Sequence, residues 1–398
     1  MERHLQLPSD SWIRIEDSVW AVERLDSLDA AHCSFLGTTI GSAILAIIRA
    51  IECTPERAER GNFDKAYDHL AEAIECARKV GLDSDEHCEF LYGRAGLLYG
   101  LMYLRQALRN VDASVPEVND ALELTVDKIL GCIANVIFQH GRHGAAEYQA
   151  ATQHTGMAPP LIWRWHGKRY LGAGHGLAGI LHVLLLLPHG VLTHQEKCEI
   201  ADTALWLVEQ QEPEGNWPSK APEPSVLVHK HASELVQWCH GAPGILIMLS
   251  NILIRHKDCT TPSQRHILHN SIRLAAELVY QRGFLRKGVG FCHGVGGSVY
   301  ALLAASDAAL DCGDAHNKEA ESKRLLHRAA HLACMAVDYR SLAHTEDMQV
   351  PDRPWSLYEG LAGMCCAWRE VIKRLGGEEE LKKRDIGMPG FDDLDLWM

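Results

Sequence analysis

A seven-residue phrase, aromatic-Cys-His-Gly-x-x-Gly, occurs twice in this chain and constrains its fold more than any other feature. One copy occupies residues 238–244 and the other residues 291–297. An apolar run of helical length follows each copy. Cysteine and histidine are ligand types that zinc prefers. Two helical repeats that carry the phrase at the same position can bring two thiolates and an imidazole to a single ion.

Related glycine phrases recur along the chain, and each opens an apolar helix. Besides the two Cys-His copies, they occupy residues 37–41, 93–96, 175–179 and 359–363. More polar amphipathic segments lie between them, and strand signals are almost absent. The repeat unit is therefore one apolar and one amphipathic helix. We predict an all-α fold, an α/α toroid of six to seven helical hairpins, with the apolar helices inside and the amphipathic helices outside.

The 398 residues would suit two or three ordinary domains or one large repeat-built domain, and the repeat favours a single domain over 1–398. Residues 13–28 are expected to form one outer helix. Three proline-containing segments, at 142–170, 212–229 and 346–358, shortly precede glycine phrases and are expected at the cavity mouth. Residues 376–398 are expected to form a charged turn and a tail.

Charge and cysteine usage exclude several classes of protein. The formal net charge of −13 repels phosphate backbones, so nucleic acid is not an expected partner. The 13 cysteines are odd in number and scattered, which is unlike the disulfide framework of a small secreted domain. Residues 1–10 lack a secretory apolar core, and no run is long enough for a transmembrane segment. We expect a cytoplasmic protein with reduced thiols.

The metal ligands predicted from the repeated phrase are Cys239, Cys292 and His293, around one Zn²⁺. Three protein ligands with an open fourth position are typical of a catalytic zinc. Such a zinc could bind a substrate thiol as thiolate or activate water, and two cysteine ligands favour the thiol. His240 is interpreted as a transition-state donor or a structural residue. His175, at the same repeat position, is favoured as a general acid/base over a fourth ligand or a buried structural histidine.

Four further charged residues are candidates for binding an anionic substrate. Arg94 lies at the start of an apolar helix, where capping or an ion pair is the alternative role. Lys287 precedes Cys292 by a short loop and could equally be a solvated surface lysine. Asp352 and Arg353 lie in the third mouth segment and have the same ambiguity.

Four stretches resemble those of lanthionine synthetase C-like (LanC-like) proteins. They are Gly-Ala-Gly-His-Gly-Leu-Ala-Gly (172–179), Trp-Cys-His-Gly-Ala-Pro-Gly (238–244), Cys-His-Gly-Val-Gly-Gly (292–297) and Leu-Tyr-Glu-Gly-Leu-Ala-Gly (357–363). The resemblance extends over about residues 91–368 and implies an α/α toroid of two concentric helix rings. It places the family's zinc ligands on Cys239, Cys292 and His293, and its active-site histidine on His175.

The resemblance also implies roles for the neighbouring residues. His240 matches eukaryotic members, whereas bacterial cyclases commonly have tyrosine there. The glutathione-contacting lysine of eukaryotic members falls on Lys287. Their second glutathione-contacting segment falls on 349–352, where Gln349 stands in place of arginine and Asp352 ends the segment. Arg353 is the nearby cation that could substitute.

The N-terminal part departs from the family pattern. Six glycine phrases are present where members usually have seven, so the first repeat is missing or degenerate and residues 37–41 stand for the second. Thr38 and Thr39 replace the Gly-Asp that is usual in that phrase. An acidic catalytic residue of the family therefore has no counterpart there.

The sequence predicts a zinc-dependent enzyme that forms thioethers. Its partners would be glutathione or another thiol and a Michael acceptor, either a dehydroamino acid in a peptide or protein or a small electrophile. Two alternatives stay open at this stage. One is a non-catalytic module that binds zinc and glutathione. The other is a cyclase or adduct-forming enzyme of specialised metabolism.

Overall fold

The computed structural model describes residues 29, 31–52, 60–79, 86–110, 116–152, 158–222, 233–311, 315–376 and 387–394. Every regular element among them is helical, and β interactions are limited to isolated bridges such as Trp165 with Lys168. The all-α prediction is confirmed. The predicted helix at 13–28 lies outside the described residues. No helix in the described ranges has the length and apolarity needed to cross a membrane.

The helices follow the order predicted from the alternation of apolar and amphipathic segments. They are α1 Ile40–Glu52, α2 Arg60–Arg78, α3 Arg94–Asn110, α4 Pro116–Thr152, α5 Leu177–Leu185, α6 His194–Glu209, α7 Ala242–Arg255, α8 Pro262–Arg282, α9 Val295–Ala309, α10 Ala315–Met335, α11 Tyr339–His344 and α12 Leu361–Gly376, with short 3₁₀ helices at Lys257–Cys259 and Ala336–Asp338.

The chain separates into two compact units. One comprises residues 1–80 and 91–136, and the other comprises residues 81–90 and 137–398. In the first unit α1 packs against α2 and α3. A bidentate ion pair joins α3 to α4, because Arg105 donates to both carboxylate oxygens of Asp127 at 2.6 and 2.9 Å.

The second unit contains three successive helical pairs that alternate as the sequence predicts. Helices α5, α7 and α9 are buried over most of their length, and α7 packs against both α5 and α9. The amphipathic helices α6, α8 and α10 each pack on the preceding apolar helix and on one another. Capping boxes at Thr193 and Thr261 fix where α6 and α8 begin.

The glycine phrases recur because the chain folds back tightly before each apolar helix. A glycine at the third residue of the helix, or at the second in α1, lies against the carbonyl group of the residue six positions earlier. A Cβ on Gly297 would stand 2.1 Å from the carbonyl oxygen of Phe291, closer than any side chain tolerates. The same relation holds for Gly41 with Phe35, Gly179 with Ala173, Gly244 with Trp238, and Gly363 with Leu357.

His256, which follows α7, should make the stability of the second unit depend on pH. Its Nε2 lies 2.8 Å from the carbonyl oxygen of Leu185, and burial lowers the pKa of His256 to about 4. Below about pH 6.5 the unfolded chain binds a proton at this histidine, whereas the folded chain binds it only near pH 4. The free energy of unfolding therefore falls as the pH falls through this window. The full effect is about 3 kcal/mol.

We expect the urea midpoint of the wild type to fall more steeply between pH 7 and pH 5 than that of His256→Gln. The amide can still donate to the carbonyl group, but it does not titrate. The exposed His344 provides a matched control, and His344→Gln should keep the wild-type pH dependence. Equal slopes for wild type and His256→Gln would contradict the assignment.

Candidate metal centre

Backbone hydrogen bonds connect the glycine phrases of the second unit in register. The N–H of Gly174 donates to the carbonyl oxygen of Cys239 at 3.4 Å, and that of Cys239 donates to Cys292 at 3.2 Å. The N–H of Cys292 in turn donates to Tyr358 at 2.7 Å. Each bond joins corresponding positions of successive phrases. The two cysteines therefore project from adjacent backbone, although they are far apart in sequence.

This register brings Cys239, Cys292 and His293 together. The two sulfur atoms and one ring nitrogen of His293 all lie within 4.8 Å of one another. Cys239 is buried, and the other two are half-buried. Zinc binds sulfur at about 2.3 Å and nitrogen at about 2.0 Å, so ligands of one tetrahedral ion stand roughly 3–4 Å apart. The observed donor set therefore suits a soft or borderline divalent ion with small side-chain adjustments.

The pKa values of the two thiols are shifted in opposite directions. The Cys292 thiol donates to the sulfur of Cys239, and this hydrogen bond, with a second from His293, holds the pKa of Cys239 well below its ordinary value against the opposing effect of burial. The same hydrogen bond, together with burial, raises the pKa of Cys292. A cation at this point would bind both residues as thiolates and would displace their protons.

His175 is oriented by a residue that the sequence analysis did not single out. Its Nδ1 lies 2.9 Å from a carboxylate oxygen of Glu89, whose side chain is 1% exposed. Its ring stacks on Trp165 with the centroids 3.7 Å apart and the planes 3° from parallel. A carboxylate at Nδ1 fixes the tautomer, so Nε2 is the nitrogen that can exchange a proton with a substrate.

His240 directly follows Cys239 and lies near His175 and Tyr170. Its ring centroid is 6.4 Å from that of His175 and 5.5 Å from that of Tyr170. Its Nδ1 is buried and has no hydrogen-bond partner among the described residues. Burial lowers the pKa of His240, while the charge of Cys239 opposes the shift. The imidazole is therefore neutral at pH 7 and can donate or accept a hydrogen bond.

Asn216 replaces a backbone hydrogen bond at the first Cys-His phrase. In other repeats the first N–H of the apolar helix donates to a carbonyl group seven residues earlier, as Val295 does to Gly288 at 3.1 Å. Before α7, the amide of Asn216 donates to Leu235 at 3.0 Å and accepts from Ala242 at 2.9 Å. The buried side chain thus fixes the turn in which Cys239 lies.

Replacing Asn216 by alanine should destabilise this turn. The change leaves buried backbone groups without partners, at a cost of about 1–3 kcal/mol for each group. We expect a loss on the order of 3 kcal/mol in the free energy of unfolding, measured by chemical denaturation. Asn216→Asp keeps an acceptor for Ala242 but loses the donors. Its free energy of unfolding should lie between those of the wild type and Asn216→Ala. A midpoint equal to that of the wild type in Asn216→Ala would refute the bridging role.

Four of the candidate substrate-binding residues lie on two loops, with Lys287 on one and Gln349, Asp352 and Arg353 on the other. Lys287 precedes the second Cys-His phrase. Its ammonium group acts electrostatically on both His240 and Cys292. The backbone N–H of Gln349 donates to the carbonyl oxygen of Arg286 at 2.6 Å, which joins the two loops. Lys287, Gln349, Asp352 and Arg353 are all exposed.

Arg94 has a different environment in the first unit. It is the first residue of α3, is 2% exposed, and donates to the carbonyl oxygens of Ala77 at 2.9 Å and Lys79 at 3.1 Å. These carbonyl groups belong to the C-terminal end of α2 and the residue after it. The contacts are those of the capping alternative. Its contact with a substrate stays a prediction.

The threonines that replace the usual Gly-Asp have local partners. The hydroxyl of Thr38 accepts a hydrogen bond from the N–H of Ile40 at 3.2 Å and donates to Ser34 at 2.6 Å, so it caps α1. The hydroxyl of Thr39 lies 2.8 Å from Nε2 of His69. Both side chains therefore stabilise the start of α1.

The sequence is similar to known proteins over most of its length. The family described as lanthionine synthetase C-like protein matches residues 28–374. The chain is 30% identical to LanC-like protein GCL1 of Arabidopsis thaliana over 76% of its own length and 57% of the relative's. It is 27% identical to the glutathione S-transferase LANCL1 of Danio rerio over 69% of its own length and 56% of the relative's.

The chain thus spans little more than half the length of these two relatives. The family match nevertheless covers all four glycine phrases whose register forms the donor cluster, and it also includes the N-terminal part that departs from the family pattern. The helical fold and the match over residues 28–374 together identify this chain as a member of the LanC-like family.

Proposed function

We propose that this protein is a zinc-dependent enzyme that adds the thiol of glutathione, or a related thiol, to the β-carbon of a dehydroamino acid or a similar Michael acceptor. The observation that carries the proposal is the convergence of Cys239, Cys292 and His293 next to two histidines with different environments. The name of the relative from Danio rerio, a glutathione S-transferase, supports a thiol as one substrate.

The donor set fits zinc better than a hard cation. Two sulfurs and an imidazole select zinc over magnesium or calcium, which prefer oxygen ligands. Cys239, Cys292 and His293 would hold the ion. When bound, zinc supplies a Lewis acid that keeps a substrate thiol deprotonated at neutral pH. Two thiolate ligands make the ion electron-rich, which favours thiol chemistry over activation of water.

His175 and His240 would supply the proton and the hydrogen bond that the addition requires. The thiolate sulfur forms a bond to the β-carbon, and the electrons of the carbon–carbon double bond move toward the carbonyl group as an enolate. His175 then gives a proton to the α-carbon, with its orientation held by Glu89 and Trp165. His240, which is neutral, donates a hydrogen bond to the enolate oxygen. The thiol's original proton leaves to solvent, and His175 regains a proton from solvent before the next turnover.

Lys287 is expected to bind a carboxylate of glutathione. Its removal should weaken binding of the thiol and leave the proton transfers intact, since the ammonium group touches no reacting atom. We expect Lys287→Ala to raise the KM for glutathione about tenfold, the equivalent of a charged hydrogen bond, with kcat changed little. Lys287→Arg should recover most of the loss. A fall in kcat at unchanged KM would contradict this role.

The proposed activity can be tested directly. The zinc-loaded protein is incubated with glutathione and a peptide that contains dehydroalanine, and the thioether product is measured by mass spectrometry. A peptide with alanine at that position serves as the control. We expect product at a rate proportional to enzyme concentration. Fully zinc-loaded protein that forms adduct no faster than buffer would overturn the proposal.

A further inference from the structure

A second group of metal-ligating side chains lies in the second unit and shares no residue with the first centre. His194 is the first residue of α6, and Cys198 follows one turn later on the same face. Asp258 and Cys259 belong to the 3₁₀ helix Lys257–Cys259, which packs against α6. The tertiary fold therefore brings together two short segments that are distant in sequence.

Three of these four side chains lie as close together as the ligands of the first centre, and Cys198 lies beside one of them. Ligand atoms of His194, Asp258 and Cys259 all lie within 4.8 Å of one another. The sulfur of Cys198 is 3.6 Å from Nε2 of His194, and Cys198 also acts electrostatically on Cys259. The side chains of Cys198 and Cys259 are half-buried, whereas His194 and Asp258 reach solvent. An ion from solvent can thus reach the group.

The chemistry of the four donors points to zinc. Two sulfurs, one imidazole and one carboxylate make up a four-ligand set of the kind that closes a structural zinc site. Lys197, whose ammonium group is 3.9 Å from Asp258, partly balances the negative charge of such a site.

We propose that His194, Cys198, Asp258 and Cys259 form a second zinc site. It would attach the start of α6 to the connection between α7 and α8. With four protein ligands it leaves no position for a substrate, so its role would be structural. The proposal is independent of thiol addition, because none of its ligands belongs to the first centre and its test counts metal ions, not thioether product.

The test is the zinc content of the full chain, loaded with zinc under reducing agent, freed of unbound metal and analysed by inductively coupled plasma mass spectrometry. We expect two ions per chain in the wild type and one in Cys198→Ser/Cys259→Ser. The exposed Cys365 provides a control, and Cys365→Ser should retain both ions. Circular dichroism shows whether each variant is folded.

His194→Gln keeps both thiols and provides a second variant that changes the chain less. We expect it to release one of the two ions at a concentration of competing chelator about tenfold lower than the wild type requires. The proposal is overturned if Cys198→Ser/Cys259→Ser binds as many ions as the wild type. It is also overturned if the reduced wild type binds a single ion that Cys198→Ser/Cys259→Ser retains, or if Cys198 and Cys259 are joined as a disulfide instead.

Discussion

Cys292→Ala will release one zinc ion per chain and reduce thioether formation to the uncatalysed rate. The change removes one ligand of the proposed ion. It also removes the hydrogen bond that lowers the pKa of Cys239. A two-ligand site with open coordination positions holds zinc far more weakly, and we expect affinity to fall by at least about 100-fold. Zinc content and the initial rate of adduct formation measure the two effects.

The matched control is Cys365→Ala, which removes an exposed cysteine on α12 and should change neither quantity. Cys292→His, which offers a different donor, should recover part of the zinc content and little of the rate. If Cys292→Ala keeps both its zinc and its activity, Cys292 is not a ligand and the proposed centre is wrong.

Loss of the Glu89 carboxylate should be the second largest effect, because it disturbs the proton donor without touching the metal ligands. In Glu89→Gln the amide can present either its N–H or its oxygen to Nδ1, so the tautomer of His175 is no longer fixed. We expect kcat to fall by about 10²- to 10³-fold, within the range of general acid–base catalysis. Zinc content and the KM for glutathione should stay close to those of the wild type.

The stereochemistry of the adduct formed in D₂O distinguishes a loss of His175 positioning from a general loss of structure. A held His175 delivers deuterium to one face of the α-carbon, so the wild type should give one diastereomer of the adduct. Glu89→Gln should give a mixture, whereas Glu89→Asp should recover part of the selectivity. A slow variant that keeps a single diastereomer would show that Glu89 does not position the proton donor.

The helical architecture could be predicted from sequence because the glycine phrases recur before the apolar helices. Helices α5, α7, α9 and α12 need glycine at the third position, since the preceding turn brings a carbonyl group too close for a side chain. The recurrence of this requirement predicted the order of the apolar helices. The same periodicity placed Cys239 and Cys292 at equivalent positions, with His293 directly after the second, and backbone hydrogen bonds hold the two cysteines side by side.

The partners of the site could not be predicted in the same way, because they come from outside the repeated phrases. Glu89 precedes its glycine phrase, and Asn216 lies in a loop between helices. The group around His194 joins residues from two outer segments that no motif connects. For Arg94 the sequence position suggested more than one role. A cation at the start of an apolar helix suits a substrate contact, yet the guanidinium group of Arg94 caps the end of α2.

The most direct test of the central claim is zinc K-edge X-ray absorption on Cys198→Ser/Cys259→Ser, in which the second site is absent. We predict two sulfur neighbours at about 2.3 Å with nitrogen or oxygen completing the shell, and three sulfur neighbours once glutathione is added. A first shell of nitrogen and oxygen alone would contradict the account. So would a sulfur count that glutathione leaves unchanged.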